Sequence, residues 1–245
     1  MWNSIAVERD GLTTVVTLNR PDKLNAFNAE IVDELLLAVQ QAEQNDTRLL
    51  VFKSNGKGFS GGFDLSDVES SSDGDLLLRF VQVEALLQAV YHAPFATSAF
   101  VHGPCYGAAA DLVAACQSRV ATPDARFRMP GLRFGIVLGT GRLNNLVGSD
   151  EARSLLLRDK PFGADEALSK GFVTEICDQT EWVARQDQLL HDSSQLTEEA
   201  FEALTQRTTI DTRNADLAAL VNSVRQGSIK ERIRVYVEGV KAEKR

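Results

Sequence analysis

The sequence contains few residues of the types that crosslink a chain or bind a metal. Among its 245 residues are three cysteines and three histidines. Cys105, Cys116 and Cys177 are odd in number and show no Cys-x-x-Cys pattern, which argues against both a disulfide framework and a zinc site. A chain of this length buries roughly 70 to 75% of its unfolded surface and can fold without such crosslinks. We therefore expect no structural metal, and a reducing compartment.

Positive charge and long apolar runs are also scarce. The chain carries 26 Lys+Arg against 34 Asp+Glu, a net charge of −8, which disfavours nucleic-acid binding. No window approaches the ~18 apolar residues of a membrane span, and the amino terminus lacks the basic-then-apolar order of a secretion signal. The sequence thus predicts a cytoplasmic protein that binds neither nucleic acid nor membranes.

The elements that are present alternate between strand and helix patterns. Two β-branched runs, residues 5–8 and 13–18, flank the turn dipeptide Asp10-Gly11 and predict a hairpin. Asn28 is a good cap for a helix that continues to about residue 44. Strand and helix patterns then recur about every 45 to 50 residues, which predicts an α/β fold of parallel strands covered by helices. The predicted segments are strands at 49–52, 96–101 and 120–121, helices at 76–90 and 107–116, and a loop at 66–74.

No strand pattern is found after Glu181. Apolar spacing predicts helices at 199–204, 215–224 and 229–240, whereas residues 189–199 break the pattern. The sequence therefore divides into a core, residues 1–190, and a carboxy-terminal helical segment, residues 191–245.

A glycine-rich loop at residues 56–62 (GKGFSGG) matches more than one motif. As a GxGxxG nucleotide loop it would have to open a helix at Gly61, but polar residues without helical spacing follow. As a GxSxG elbow it would make Ser60 a nucleophile, with Asp111 and His191 completing the order seen in α/β-hydrolases. That elbow needs a strand running directly into the serine, and residues 54–57 intervene.

A third interpretation of this loop uses its backbone. Glycines let the chain approach a ligand closely, so that an N–H near Phe63 could donate to a developing oxyanion. Residues 103–110 could supply a second donor, since small residues there open a helix whose first N–H groups lack partners.

Three separate segments resemble the crotonase (enoyl-CoA hydratase/isomerase) superfamily. Residues 18–27 (LNRPDKLNAF) are similar to its amino-terminal signature, residues 58–65 (GFSGGFDL) to its first oxyanion loop, and residues 101–112 (VHGPCYGAAADL) to its second. Order and spacing also match, over about residues 4 to 175. The resemblance implies a spiral of ββα units with a helical appendage, in which residues 1–190 hold an acyl-CoA site and residues 191–245 serve oligomerisation.

The resemblance also implies the partners and the site. Relatives act on acyl-CoA thioesters, with coenzyme A as part of the substrate and no permanent cofactor, and form homotrimers or dimers of trimers. The oxyanion donors would be the N–H groups of Phe63 and Ala108, and Asp111 would be the acid–base group. The implied substrate-binding positions are Lys23, Leu24, Ala26, Gly62, Asp64, Leu65, Gly107 and Gly131.

The chain departs from the family pattern at its acid–base positions. Hydratases of the family use two glutamates that share a water. Here the first position is Asp111, one methylene shorter, and the second, after Met129-Pro130, is Gly131. Three outcomes stay open: hydration or isomerisation of an enoyl thioester by Asp111, another enolate reaction such as decarboxylation or thioester hydrolysis, or acyl-CoA binding with little turnover.

Overall fold

A mixed six-stranded sheet forms the centre of the protein. The computed structural model describes residues 2–158, 160–225 and 227–243. In spatial order the sheet contains β1 (Ile5–Asp10), β2 (Thr13–Leu18), β3 (Leu49–Ser54), β4 (Ala96–Val101), β6 (Ser118–Ala121) and β9 (Glu175–Ile176). β1 and β2 pair antiparallel, and every later neighbour pairs parallel. The predicted hairpin and the predicted parallel order are both confirmed.

A second, three-stranded sheet stands apart from the first. It consists of β5 (Pro104–Tyr106), β7 (Arg126–Arg128) and β8 (Phe162–Gly163). The sequence analysis did not predict this sheet, because strands of two or three residues show no alternation of polar and apolar side chains.

The first two helices, α1 (Ala29–Glu43) and α2 (Asp73–Tyr91), pack side by side. Along the chain, α1 connects β2 to β3, and α2 connects β3 to β4. The side chain of Asn28 caps α1 by accepting a hydrogen bond from the Ile31 N–H, as predicted. α2 begins at residue 73 and not at 76, since Ser72 and Asp75 form a reciprocal capping box within the predicted loop.

Four shorter helices follow, namely α3 (Ala108–Ala115), α4 (Thr140–Val147), α5 (Ser149–Leu157) and α6 (Ala164–Ser169). Every residue of α3 is buried, so that its carboxylate Asp111 is enclosed by protein. Small side chains let neighbouring backbones approach this helix closely.

Four helices complete the chain, namely α7 (Trp182–Ser193), α8 (Glu198–Thr208), α9 (Arg213–Ser223) and α10 (Ile229–Glu243). α7 was not predicted, and the predicted division between residues 190 and 191 falls inside it. Its Trp182 packs on Phe100 of the central sheet, with 5.4 Å between ring centroids. The predicted segment 191–245 also includes Gln226, Lys244 and Arg245, which lie outside the described residues.

α9 and α10 form a second apolar cluster with α2. Leu220 of α9 and Ile229 and Ile233 of α10 are buried against Phe80 and Phe134. The carboxy-terminal helices α9 and α10 therefore pack against α2 and against the segment around Phe134. Among the described residues, no helix is both long and apolar enough to cross a membrane.

Candidate active site

Two loops from distant parts of the sequence run side by side in front of α3. The Ser60 N–H donates to the carbonyl of Pro104 (3.1 Å), and the Tyr106 N–H donates to the carbonyl of Ser60 (3.0 Å). These bonds form an isolated parallel bridge between Ser60 and Cys105. Counted forward in that register, residue 62 faces residue 107 and residue 63 faces residue 108. The glycine loop and the start of α3 are thus held in a defined alignment.

Glycine is required where the two loops touch. Gly62 has φ +87° and Gly107 has φ +53°, in the left-handed region that other residues rarely adopt. A Cβ at Gly62 would overlap the carbonyl oxygen of Tyr106 and lie 3.4 Å from the Cα of Gly107. Close contact here requires that residue 62 has no side chain, whereas at residue 107 glycine is favoured by its positive φ.

The next N–H group in each loop has no protein acceptor. Phe63 follows Gly62 and Ala108 follows Gly107, and within the described residues neither N–H donates to another group of the protein. Both residues line the same cleft. Ala108 is the first residue of α3, where unpaired N–H groups and the helix dipole favour a negatively charged or strongly polarised oxygen. The alignment brings the two predicted donors together.

Packing on both faces of its ring holds Phe63 in position. Phe80 stacks on one face at 4.2 Å between centroids, and the Arg79 guanidinium lies 4.3 Å from the ring centroid. Arg79 also donates to the backbone carbonyl of Asp64 at 2.9 Å. The Phe63 N–H therefore belongs to a rigid segment.

Replacing Gly62 by alanine should disrupt this alignment. We expect a loss of about 2–4 kcal/mol in the free energy of unfolding and a loss of ligand binding in the cleft, because the change adds left-handed strain and an overlap with Tyr106. Gly148→Ala is the matched control, since Gly148 has φ +81° but open space around its Cβ position. Urea unfolding compares the two variants. Equal losses would contradict the requirement for close loop contact.

Asn25 organises the glycine loop and was missed as a functional residue. It is fully buried with φ +49°, and its side-chain amide donates to the carbonyl of Asn55 (2.9 Å) and to that of Phe59 (3.2 Å). Its side-chain oxygen accepts from the Arg20 N–H at 2.7 Å. The buried side chain of Asn25 thus links the backbones of residues 20, 55 and 59, which lie outside helices and strands. The available sequence signal is an asparagine in a polar turn, because asparagine adopts the left-handed conformation more readily than most residues.

The cleft in front of the two amides is mostly apolar. It encloses roughly 820 Å³, including its opening to solvent. Four of the predicted site residues besides the two donors line it: Leu65, Gly107, Asp111 and Gly131. Its other walls come from α2, β5, the segment after residue 128, and α10. They include Phe80, Tyr106, Met129, Phe134, Ile136, Leu138, Thr140 and Tyr236.

Asp111 is the acidic residue in the wall of this cleft, and it is 5% exposed. Burial raises the pKa of its carboxyl well above the usual range. The Arg142 guanidinium opposes this rise and the Glu84 carboxylate adds to it. A raised pKa favours the protonated carboxyl, which can donate a hydrogen bond or a proton.

A buried ion cluster lies next to Asp111. Arg142 of α4 and Glu84 of α2 are each 1% exposed in their side chains and form a two-point ion pair. Arg142 also donates to Asp216 of α9 at 3.1 Å. The cluster links three helices around α3. The sequence alone does not indicate this cluster, because the partners of Arg142 come from elements about 60 and 70 residues away in the chain.

The other predicted binding residues lie outside the cleft. Lys23 is exposed, and Leu24 and Ala26 lie behind the glycine loop, where the Leu24 carbonyl accepts from the Gly61 N–H at 2.8 Å. The Asp64 side chain turns away from the cleft toward Arg20, at 3.4 Å. Burial opposes ionisation of Asp64, but hydrogen bonds from Ser66 and the charge of Arg20 lower its pKa.

The geometry contradicts the serine-nucleophile alternative. Ser60 is fully buried and donates to the carbonyl of Asn25 at 2.7 Å, while its oxygen accepts from the Gly62 N–H at 3.1 Å. His191 is an exposed residue of α7. The Ser60 hydroxyl therefore stabilises the loop and is not available for attack. The nucleotide-loop alternative fails because no helix begins at Gly61.

Comparison with known proteins supports the resemblance. The sequence profile of the enoyl-CoA hydratase/isomerase family matches residues 8–244. The chain is 33% identical over 187 residues to a probable enoyl-CoA hydratase of Mycobacterium leprae, covering 72% of this chain and 73% of the relative. It is 32% identical over 192 residues to the short-chain-enoyl-CoA hydratase of Clostridium acetobutylicum, covering 73% and 70%.

A solved structure extends this similarity to the whole fold. A protein of Bordetella parapertussis named as an enoyl-CoA hydratase/isomerase is 44% identical, with a TM-score of 0.93. The match covers 96% of this chain and 98% of that protein. The predicted crotonase-like fold is confirmed by this superposition.

Proposed function

Because the chain belongs to the enoyl-CoA hydratase/isomerase family, we propose that it acts on an acyl-CoA thioester through an enolate intermediate. The observation that carries this proposal is the pair of unpartnered N–H groups, Phe63 and Ala108, at the wall of an apolar cleft that also contains Asp111. No metal or permanent cofactor is needed for this chemistry, and coenzyme A enters as part of the substrate.

The two N–H groups would bind the thioester oxygen. As the bond between the carbonyl carbon and the α-carbon gains double-bond character, negative charge builds up on this oxygen. Donors that are already oriented stabilise that charge without reorganisation, by about 3–4 kcal/mol for each donor. The rigid contacts of Phe63 and the fixed loop alignment support such preorganisation.

Asp111 would move the proton. Burial raises the pKa of its carboxyl and so favours the acid form, which can deliver a proton to an enolate carbon. For a proton shift along an enoyl chain, Asp111 would start as the carboxylate, take the α-proton as the dienolate forms, and deliver that proton to the γ-carbon. A single carboxyl group is sufficient for this shift, so isomerase chemistry remains possible without a glutamate at position 131.

Decarboxylation is a second candidate reaction. Loss of carbon dioxide from a malonyl-type thioester yields the same enolate, which needs only a proton donor. Asp111 in its acid form would serve as that donor and would not repel the carboxylate of the substrate. Among the described residues that line the cleft, Asp111 is the only acidic one and position 131 is glycine, which suits a reaction that needs a single proton donor.

Four of the predicted binding residues have only an indirect role in the proposed function. They are Lys23, Leu24, Ala26 and Asp64. Lys23 is exposed near the glycine loop, and its charge could meet a phosphate of the coenzyme. Leu24 and Ala26 would support the loop from behind, as described above. The Asp64 carboxylate would serve the loop through its contact with Arg20.

We further propose assembly into a homotrimer or a dimer of trimers through the carboxy-terminal segment. Large apolar side chains are exposed there, including Leu204 (49%), Ile210 (57%) and Val235 (59%). Apolar surface of this kind is stabilised when a neighbouring subunit covers it.

Titration with two thioesters tests the proposed function. We expect crotonyl-CoA and acetyl-CoA both to bind, in the range of about 1 μM to 1 mM, and crotonyl-CoA alone to react, with loss of its conjugated enoyl absorbance. Binding of both without reaction would exclude crotonyl-CoA as a substrate and favour the malonyl-type reaction, which malonyl-CoA in the same assay would report. If neither thioester binds, the result contradicts the proposed function.

A further inference from the structure

One wall of the cleft is a segment with little secondary structure of its own. This wall segment, residues 131–138, begins as a single 3-10 turn, Gly131–Phe134, and continues in neither a helix nor a strand. Every second residue from 134 onward, namely Phe134, Ile136 and Leu138, lines the cleft. The position of these apolar side chains therefore decides how closely the cleft fits an alkyl chain.

Hydrogen bonds from the carboxy-terminal helices hold the wall segment from its other side. Arg232 of α10 donates through Nη1 to the backbone carbonyl of Gly135 and to that of Ser223, each at 3.1 Å. Ser223 is the last residue of α9, and its Oγ accepts from the Val137 N–H at 3.3 Å. Two backbone groups of the wall segment are thus bonded to α9 and α10.

The Arg232 guanidinium fits closely against the wall segment. Gly135 has φ +70°, and a Cβ at this position would overlap Nη1 of Arg232. The Nε and Nη2 atoms of Arg232 are buried and have no hydrogen-bond partner in the part of the chain that the structure describes. The charged side chain is therefore held by the two carbonyls that its Nη1 contacts, and bonds from a charged donor are stronger than those from a neutral one.

Apolar contacts of α10 continue the same connection into the cleft. Phe134 and Ile136 are buried in one cluster with Ile229 and Ile233. Tyr236, one helical turn beyond the arginine, lies 5.2 Å from Phe134 between ring centroids and lines the cleft itself. A shift of α10 against the wall segment would therefore change the shape of the cleft.

We propose that Arg232 is a positioning residue, which sets the acyl-chain selectivity of the cleft by fixing the wall segment. This inference rests on the proposed function and assigns control of the acyl end of the substrate to the carboxy-terminal helices. Arg232 is not among the residues that line the cleft, so it acts through the wall segment. The N–H groups of Phe63 and Ala108 belong to other segments and do not depend on its bonds.

Binding of two thioesters of different acyl length tests the inference. We expect hexanoyl-CoA to bind the wild type roughly tenfold more tightly than acetyl-CoA, because four more carbon atoms leave water. Arg232→Met keeps an apolar stem but removes both hydrogen bonds, and should reduce this preference to about threefold or less. Hexanoyl-CoA affinity should account for the change, with acetyl-CoA affinity unaltered. Isothermal titration calorimetry measures both ligands.

A second variant and a matched control complete the experiment. Ser223→Ala removes the hydroxyl that accepts from Val137 and should reduce the preference in the same direction. This small change keeps the test valid if Arg232→Met does not fold. Arg234→Met is the control, since Arg234 lies on the same helix and pairs with Glu231 at the surface, where the two side chains are 49% and 53% exposed. Its preference should equal that of the wild type.

The ratio of the two affinities distinguishes positioning from general support of the fold. Partial unfolding lowers both affinities by the same factor, whereas a displaced wall segment weakens hexanoyl-CoA binding alone. Equal wild-type affinity for the two thioesters would overturn the inference and leave the proposed function intact. The same holds for a preference that stays at the wild-type value in Arg232→Met and Ser223→Ala, for equal losses of both affinities, or for an equal change in Arg234→Met. Binding of neither thioester by the wild type would overturn both.

Discussion

Asp111→Asn is expected to lower turnover of the thioester substrate by roughly 10²- to 10⁴-fold, while thioester affinity changes little. The asparagine side chain is uncharged and has nearly the same shape as a protonated aspartic acid, the form that burial favours. It cannot give up or take back a proton. Steady-state turnover on the thioester that the wild type converts, together with calorimetric binding of acetyl-CoA, separates the two effects. Unchanged turnover would contradict the assigned role of Asp111.

The same substitution has a distinct effect on stability. The folded-state pKa of Asp111 lies above the value of about 3.9 for an exposed aspartate, so the native state binds a proton that the unfolded state has lost. The free energy of unfolding of the wild type should therefore fall as pH rises through that interval. Asp111→Asn lacks this loss, and its stability advantage over the wild type should grow as the pH rises above about 4.

Urea unfolding at several pH values measures this trend. Asp187→Asn is the control, because Asp187 is an exposed residue in the middle of α7. The control should follow the wild type across the range. A wild type that gains stability relative to Asp111→Asn as pH rises would show that Asp111 is ionised in the folded protein.

Arg142→Leu is expected to lower the free energy of unfolding by about 3–5 kcal/mol. The Arg142 and Glu84 side chains are each 1% exposed, and Asp216 is 12% exposed. Removal of the guanidinium leaves two carboxylates beside Asp111 without their counter-charge, in a region with little water to solvate them. The expected loss in the free energy of unfolding comes from the two carboxylates that remain buried without a positive partner. It does not measure how much the intact ion pair stabilises the protein.

Two further variants define this effect. Arg153→Leu removes an arginine whose pair with Asp150 is exposed, and should cost less than about 1 kcal/mol. Glu84→Gln in the Arg142→Leu background removes one stranded charge and should recover part of the stability. Urea unfolding gives all three values. A loss for Arg142→Leu as small as that for Arg153→Leu would mean that the cluster is solvated in the folded protein.

The secondary structure was predictable where the signal is local. The hairpin turn at Asp10-Gly11, the Asn28 cap and the strand Ala96–Val101 follow from turn chemistry, capping and β-branched runs, and the structure confirms them. The helix Trp182–Ser193 was missed. Its Trp182 is buried against the central sheet, and a contact between such distant segments cannot be predicted from the spacing of apolar residues. The strands of the small sheet were missed because pairing between distant segments, and not composition, makes them extended.

The site was predictable in part. Motif resemblance directed attention to Phe63, Ala108 and Asp111, and the structure places all three around one cleft. It did not direct attention to Arg232, whose contact with Gly135 depends on how α10 packs against the segment around Phe134. Leu24, Ala26 and Asp64 were assigned to binding from the same motifs, yet their contacts are with the loop and with Arg20.

The sequence by itself determined the family, the parallel α/β order and the two glycine loops, because each depends on local residue chemistry and on spacing along the chain. Only the tertiary structure decided that the segments carrying Phe63 and Ala108 run side by side, that Asp111 is buried, and that the charges of Arg142 and Glu84 act on it. These properties arise where segments from distant parts of the chain pack together. Burial, loss of solvating water and the field of neighbouring charges exist only after that packing.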